Sequence, residues 1–195
     1  MRERQDEEIV KLSIEDPIQY KYLVEKYERR LLAYVKRIIY VNTEDAEDIL
    51  QEVFLKAYRN LNGFNANKKF SSWIYRIAHN EAISFLRKNS KRNVEIANDV
   101  SKDLFDGIAS GLDLEREYIE EEERERFERI IQSLDSKYRD VLILKFLEEK
   151  DYNEISEILE ISSGTVGSLI SRAKVKLKAL IEENGKSKYE CFREN

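Results

Sequence analysis

The sequence has very few of the residues that interrupt helices or cross-link a chain. Its 195 residues include one proline, one cysteine and six glycines. A single cysteine, Cys191, excludes an internal disulfide and any metal site built from several thiolates. With Pro17 as its one proline, the chain can form long uninterrupted helices. We therefore expect an all-α fold.

Long apolar runs are also missing. No run approaches the roughly 20 apolar residues that a membrane-spanning helix needs. The opening residues, MRERQDEEIV, are too highly charged for a secretory signal. We therefore expect a cytoplasmic protein with no membrane insertion.

The sequence has no strong excess of one charge, but its charges are unevenly placed. The net charge is −5, yet basic residues cluster at 68–92 and 172–178, and acidic residues cluster at 99–128. A local basic patch governs nucleic-acid binding more than the total charge does. The negative total therefore does not exclude a DNA-binding protein.

A recognisable catalytic constellation is absent as well. The single histidine, His79, has no nearby cysteine nucleophile and no carboxylate pair at ligand spacing. Consecutive glutamates at 120–123 point around a helix and cannot converge on a metal ion. There is no glycine-rich phosphate loop. We expect a protein that is not an enzyme and that needs no cofactor and no metal.

Apolar residues recur at three- and four-residue spacing along most of the chain. This spacing predicts helices at 5–12, 18–40, 44–60, 70–92, 115–134, 137–148, 152–159 and 163–181. Helix-capping preferences predict N-caps at Thr43, at Ser71 or Ser72, at Asp135 or Ser136, and at Asp151.

One stretch in the middle of the chain breaks this pattern and predicts the domain organisation. Residues 96–118 are acidic, contain two glycines and lack a sustained helical period, which is typical of a linker. The predicted organisation is therefore a domain at 1–95, a linker at 96–118, a second domain at 119–184 and a polar tail at 185–195.

The predicted helix at 70–92 has two unlike faces. Arg76, Asn80, Ser84 and Arg87 follow one another along the polar face, and Trp73 lies at its border. Cations can contact phosphates and an aromatic ring can stack on an unpaired base, so this face suits a nucleic-acid strand. The alternative is a core helix with a solvated polar face.

Two features that precede this helix also have alternative interpretations. Asp45, Asp48, Gln51 and Glu52 form an acidic surface on the predicted helix 44–60, either a solvated face or a docking surface for a basic partner. Phe64 is a large apolar residue in a polar loop, and it either packs on the core or is held out for a ligand.

The last two predicted helices, 152–159 and 163–181, have helix-turn-helix spacing. Hydroxyls and arginine can reach base edges in the major groove, and lysine can neutralise phosphate. Opposite the apolar stripe of the second helix lie Ser168, Ser171, Arg172, Val175 and Lys178. The alternative is a helical hairpin inside an all-α core.

Three segments, in this order, make the chain resemble the bacterial RNA polymerase sigma factors of the extracytoplasmic-function (ECF) class of the sigma-70 family. They are DAEDILQEVFLKAYRNLNGF, FSSWIYRIAHNEAISFLRK and LDSKYRDVLILKFLEEKDYNEISEILEISSGTVGSLISRAKVKL. The resemblance implies a region 2 helical bundle and a region 4 helix-turn-helix domain, joined by a flexible acidic linker. It further implies a promoter-specificity subunit that binds core RNA polymerase, recognises the −10 and −35 promoter elements, and helps to open DNA in a stress or signal response.

The resemblance also implies partners and site residues. Asp48, Gln51 and Glu52 match the segment that docks on the β′ clamp helices, and the β flap and promoter DNA are further partners. An anti-sigma factor is a candidate partner, because many relatives are held inactive by one. Residues expected at the −10 element are Phe64, Asn65, Asn67, Lys68, Lys69, Trp73, Arg76, Asn80, Ser84, Arg87 and Lys88. Residues expected at the −35 element are Lys145, Tyr152, Thr165, Ser168, Ser171, Arg172 and Lys178.

The sequence departs from the family pattern at three positions. Gly167 and Leu169 stand where members often carry basic residues, so fewer contacts with the −35 element are expected there. His79 stands where an apolar residue is usual. Two rival functions remain, a free-standing helix-turn-helix regulator and an enzyme acting on nucleic acid. The first does not account for the acidic surface, and the second lacks catalytic residues.

Overall fold

The computed structural model describes residues 5–89, 127 and 129–183. Within these ranges the regular structure is entirely helical, which confirms the all-α prediction. Contacts between Cα atoms divide the chain near residue 97 into two compact units. We call 5–89 the first unit and 127–183 the second unit. The domain boundaries predicted at 95, 118 and 184, the linker and the polar tail lie outside the described residues.

The first unit is a bundle of four α-helices joined by short turns. Its elements are α1 (Asp6–Glu15), a 3-10 turn (Pro17–Gln19), α2 (Tyr20–Ile39), α3 (Thr43–Arg59), a second 3-10 turn (Leu61–Gly63) and α4 (Phe70–Asn89). Helix α1 is longer than predicted because Pro17, which forces an extended conformation on Asp16, is what ends it. The core is formed by apolar side chains from all four helices, among them Val10, Leu23, Leu31, Tyr34, Val53, Ala57, Ile74, Tyr75 and Ala82.

Two of the predicted helix caps in the first unit are wrong. The cap of α3 is Asn42 rather than Thr43, because the Asn42 side chain accepts a hydrogen bond from the backbone N–H of Asp45 at 2.8 Å. Helix α4 begins at Phe70, before Ser71 and Ser72. Its first N–H, that of Phe70, donates to the Glu7 carboxylate of α1 at 2.9 Å. The donor is therefore satisfied by a residue distant in sequence, which local spacing cannot predict.

The second unit contains three α-helices after a helical stretch at 129–133. They are α5 (Ser136–Leu142), which continues as a π-helical turn (Ile143–Leu147), α6 (Tyr152–Leu159) and α7 (Ser163–Glu183). Asp135 occupies the N-cap position of α5 as predicted, without a capping hydrogen bond from its side chain. Asp151 caps α6 as predicted, and Glu154 completes a capping box with it. The buried core includes Phe127, Ile131, Val141, Leu142, Ile155, Ile170 and Leu177.

A buried carboxyl group makes the stability of the second unit depend on pH. Asp140 lies on α5 and is only 6% exposed. Burial raises the pKa of Asp140 to about 7, and the neighbouring Arg139 opposes this shift. The folded state therefore retains a proton between about pH 4 and pH 7 that the unfolded state releases. Stability falls as pH rises through this window.

We predict that Asp140→Asn stabilises the protein at pH 8, because it removes a carboxylate that must ionise while buried. The gain should be at most roughly 4 kcal/mol, since one pKa unit corresponds to about 1.4 kcal/mol, and it should vanish near pH 4. Urea unfolding monitored by amide hydrogen exchange in α5 and α7 measures this gain in the free energy of unfolding. Asp135→Asn, at the exposed N-cap position of α5 where asparagine is as favourable as aspartate, is the control. A difference between wild type and Asp140→Asn that does not change with pH would contradict the prediction.

Candidate functional site

The predicted docking residues lie on an exposed face of α3. Asp48, Gln51 and Glu52 are all exposed, while the neighbouring Ile49 and Val53 are buried. They lie on the second and third turns of the helix. The structure thus brings the three residues together on one surface.

An open apolar groove of about 840 Å³ runs beside this surface, between α2 and α3. Gln51 lines it, and so do Leu55 and Tyr58, which are 46% and 39% exposed. The Tyr58 ring packs 5.1 Å from that of Tyr20, which also lines the groove. The apolar period in the sequence does not distinguish a groove from a core, and for that reason the groove was missed.

The loop before α4 presents its polar residues to solvent. The Asn65 side chain accepts a hydrogen bond from the N–H of Asn67 at 3.0 Å, and the Asn65 carbonyl accepts one from Lys68 at 2.9 Å. These bonds hold the loop in a tight turn. Asn65, Asn67, Lys68 and Lys69 are all exposed on it.

Phe64 does not extend from this loop into solvent. It is half-buried, and its ring lies 5.7 Å from Phe70 and 5.3 Å from Trp73. Phe70 in turn contacts Trp73 at 5.6 Å and Tyr27 at 5.5 Å. Of the two interpretations, packing on the core is the one that the structure shows. We call Tyr27, Phe64, Phe70 and Trp73 the aromatic cluster.

The predicted strand-binding residues of α4 follow one side of the helix. Asn80, Arg87 and Lys88 are exposed, whereas Arg76 and Ser84 are half-buried. The opposite side packs into the core through Ile74, Ala78 and Ala82. Together with the loop, this side forms a continuous polar surface that begins at the aromatic cluster.

His79 belongs to the packed side of α4 rather than to this polar surface. Its Nδ1 atom lies 3.1 Å from the hydroxyl of Tyr34, a buried residue of α2. Burial lowers the pKa of His79 to about 4. The imidazole is therefore neutral at pH 7 and acts as a hydrogen-bonding group between α2 and α4.

In the second unit, α6 and α7 form a helix-turn-helix. Ser162 caps α7, because its hydroxyl accepts a hydrogen bond from the N–H of Thr165 at 3.1 Å and pairs with the Thr165 hydroxyl at 2.8 Å. The Ser168 hydroxyl donates to the Thr165 carbonyl at 2.9 Å. Two of the hydroxyls expected at the −35 element, those of Thr165 and Ser168, are thus already hydrogen-bonded within α7.

The exposed side of α7 carries the remaining predicted residues. Ser171 and Arg172 are exposed, and Lys178 at the flank is half-buried. Val175 also lies on this side and is 68% exposed. We placed it there from the sequence but did not include it among the residues expected at the −35 element. An exposed apolar side chain at this position can contact a thymine methyl group in the major groove.

Tyr152 lies beside both Gly167 and Lys145. A Cβ added at Gly167 would meet the Tyr152 ring at 3.5 Å, an ordinary van der Waals contact, and the ammonium group of Lys145 lies 5.4 Å from the ring centroid. Lys145 and Tyr152, both predicted to face the −35 element, therefore form a cation–π pair. The structure brings them together beside the start of α7.

Comparisons with known proteins identify the family. Two families match the chain, Sigma-70 region 2 over residues 23–92 and Sigma-70 region 4 over residues 124–177. The ECF RNA polymerase sigma factor SigW of Bacillus subtilis is 36% identical over 146 residues, which are 73% of this chain and 78% of the relative. The chain is an ECF sigma factor.

Two further likenesses agree with this assignment. The ECF RNA polymerase sigma-E factor of Escherichia coli is 34% identical over 161 residues, which are 80% of this sigma factor and 82% of the relative. The solved structure of the sigma factor RpoE in complex with the anti-sigma factor NepR, from Bartonella quintana, shares the fold at 21% identity. Its TM-score is 0.59, and the match covers 84% of this chain and 96% of that one.

Membership of this family gives the function of the protein and the region to which each helix belongs. As a sigma factor, the protein binds core RNA polymerase, recognises the −10 and −35 promoter elements and helps to open DNA for transcription initiation. Region 2 contains α3, α4 and the loop between them, and region 4 contains α5, α6 and most of α7. In the part of the sigma factor that the structure describes, no helix is long and apolar enough to span a membrane.

We predict that Phe64→Ala destabilises the first unit of the sigma factor by about 2–4 kcal/mol, because it removes a half-buried ring from the aromatic cluster. Urea unfolding monitored through the fluorescence of Trp73, the single tryptophan, reports on the cluster directly. Asn62→Ala, at an exposed position of the neighbouring turn, is the control and should change stability by less than about 0.5 kcal/mol. Equal stability of the two variants would show that Phe64 does not support the fold.

Proposed function

We propose that this sigma factor opens promoter DNA by holding one unpaired strand on α4 and the preceding loop, while α7 binds the −35 element as intact duplex. The observation that supports this division is the polar side of α4. It combines Arg76, Asn80 and Arg87 with an adjoining aromatic ring, Trp73, whereas the exposed side of α7 carries no large aromatic residue. Stacking on a ring favours an unpaired base, and a helix with small side chains fits the major groove.

The −10 surface has the components that single-strand binding needs. Lys68, Lys69 and Arg87 are exposed cations along the loop and α4, where they can contact successive phosphates. Asn65 and Asn67 present amides that can bond the edge of a base displaced from the stack. Unstacking one base costs on the order of a few kcal/mol, and contacts made only with the opened strand offset that cost.

We further propose that α3 docks on the clamp helices of the β′ subunit through Asp48, Gln51 and Glu52. The adjoining groove supports this assignment, because Gln51 lies on both surfaces and Leu55 and Tyr58 expose apolar area next to it. A docking surface that combines an apolar groove with a charged rim is typical of specific protein interfaces.

The same fold suggests regulation by an anti-sigma factor. The B. quintana sigma factor was solved in complex with one, and this chain shares its fold. We propose that an anti-sigma protein is a partner of this sigma factor. We further propose that the sigma factor works in the cytoplasm as an alternative sigma factor in a stress or signal response, and that it does not catalyse a reaction. Co-purification from cells grown with and without stress tests the first of these proposals.

The experiment that tests the main proposal is run-off transcription with core RNA polymerase, after mapping of the promoters that the holoenzyme selects. A promoter-dependent transcript together with permanganate reactivity near −10 is expected. Asn80→Ala should reduce the permanganate reactivity more than it reduces binding to the closed duplex. Duplex binding without any opening would instead favour the free-standing regulator.

We predict that Gln51→Ala with Glu52→Ala weakens the affinity for core polymerase at least about tenfold, which corresponds to about 1.4 kcal/mol. Titration with labelled core enzyme measures it, and circular dichroism checks that the fold is retained. Glu25→Ala, at an exposed position on α2 outside the groove, is the control. Unchanged affinity of the double variant would refute the docking surface.

We predict that Arg172→Ala weakens holoenzyme binding to a −35 duplex by about 5- to 150-fold, the range for losing one good contact to a base edge. The measurement is anisotropy at a fixed salt concentration, because phosphate contacts depend on salt. Lys174→Ala removes the same charge from an exposed position on a different side of α7 and should weaken binding less. Equal losses in the two variants would indicate a purely electrostatic role for Arg172.

A further inference from the structure

Val175 lies in the middle of the exposed side of α7. Each residue turns an α-helix by about 100°, so Val175 points within about 60° of Ser168 and Arg172 and away from the buried Ala173 and Leu177. The Val175 side chain is 68% exposed. Packing in the core of the second unit therefore does not account for an apolar side chain at this position.

Cations flank Val175 on both sides. Lys174 and Lys176, its neighbours in sequence, are exposed and project about 100° to either side of it. Arg172 lies one turn before it and Lys178 one turn after it, and α7 carries no acidic residue before its last two positions. The core of a protein interface is depleted in charged residues, so these surroundings favour DNA over a protein as the partner of Val175.

The major groove of duplex DNA combines negative walls with an apolar group on its floor. The phosphates form the walls, and the C5-methyl group of thymine is the apolar group that a base pair presents between them. The groove is about 12 Å wide and admits an α-helix. With α7 in this groove, Lys174 and Lys176 lie towards the two phosphate walls, while Val175 lies towards the base edges.

The residues of α7 that precede Val175 offer few polar contacts for base edges. The Ser168 hydroxyl donates its proton to the Thr165 carbonyl at 2.9 Å, so its oxygen can only accept a hydrogen bond from a base. Gly167 and Leu169 carry no polar side-chain group. Arg172, with five N–H donors, is therefore the strongest polar reader on this side. An apolar contact with thymine would add a readout that arginine does not provide.

We propose that Val175 contacts the C5-methyl group of one thymine in the −35 element and is thereby a specificity-determining residue of this sigma factor. The inference rests on the proposed function, because it requires α7 to bind the −35 element as intact duplex. Three residues advance an α-helix by about 4.5 Å, and successive bases of a strand are about 3.4 Å apart. The thymine therefore lies within about two base pairs of the pair that Arg172 contacts.

The test replaces thymine by uracil, which pairs in the same way and lacks only the C5-methyl group. Each thymine on either strand of a −35 duplex from a mapped promoter is replaced in turn, and the dissociation constant of the holoenzyme is measured at fixed salt. With wild type, one replacement should weaken binding about fourfold, because one methyl group is no longer buried. Val175→Ser should bind the two duplexes equally, because serine places a hydroxyl where valine has its methyl groups.

Two further variants separate this contact from general effects on the protein. Val175→Ile keeps an apolar branched side chain and should therefore keep the wild-type preference for thymine. Ile18→Ser makes an apolar-to-polar change at a position of the first unit that is 75% exposed, and it should also keep the wild-type pattern. Serine and valine have similar helix propensities, so the thermal unfolding of Val175→Ser should match that of wild type.

The outcomes separate this contact from the proposed function. One thymine whose methyl group matters to wild type and not to Val175→Ser supports the contact, provided that it lies within about two base pairs of the pair whose substitution no longer affects Arg172→Ala. Identical scans for wild type and Val175→Ser, or a −35 element without thymine, would overturn the contact and favour a protein partner for Val175. A holoenzyme that binds the −35 duplex no more tightly than a scrambled duplex would contradict the proposed function itself.

Discussion

The packing of Phe70 against its aromatic neighbours is the contact on which the site of the first unit depends. Phe70 is the first residue of α4; its N–H donates to Glu7 of α1 and its ring meets Tyr27 of α2 edge-on. Fixing the first residue of a helix also fixes the direction in which each later side chain points. The polar side of α4 therefore lies away from the core, and Trp73 is held at its start.

The start of α7 in the second unit depends mainly on contacts within its own first turns. The cap at Ser162 and the bond from Ser168 to the preceding turn join residues close in sequence, whereas Tyr152 meets the position of Gly167 from the preceding helix. Gly167 weakens a helix by up to about 1 kcal/mol relative to alanine, and the Tyr152 ring lies beside the position that a side chain would occupy. Because there are fewer cations near the helix start, we expect Arg172 and its neighbours to make more of the contact with the −35 element.

The separation in sequence between contacting residues explains which features were predictable from the sequence. Helices α2, α3, α6 and α7 follow from apolar spacing, and the cap at Asp151 follows from residues within one turn. The start of α4 was not predictable, because its first N–H bonds to a residue 63 positions away. The ion pair between Lys56 and Glu81 was not predictable for the same reason, since the two residues meet only after α3 packs on α4. The roles of the site residues at DNA and polymerase stay predictions.

A protein that opens DNA must bind the unpaired strand more strongly than the duplex, and stacking alone does not provide this preference. Unstacking a base costs on the order of a few kcal/mol, while stacking it on an aromatic ring returns about 1–3 kcal/mol. One stacked base therefore only balances its own cost. Contacts with the edge of the unstacked base, for which Asn65 and Asn67 expose amides, are expected to supply the rest. Trp73, held by Phe64 and Phe70, is placed to serve as the stacking ring.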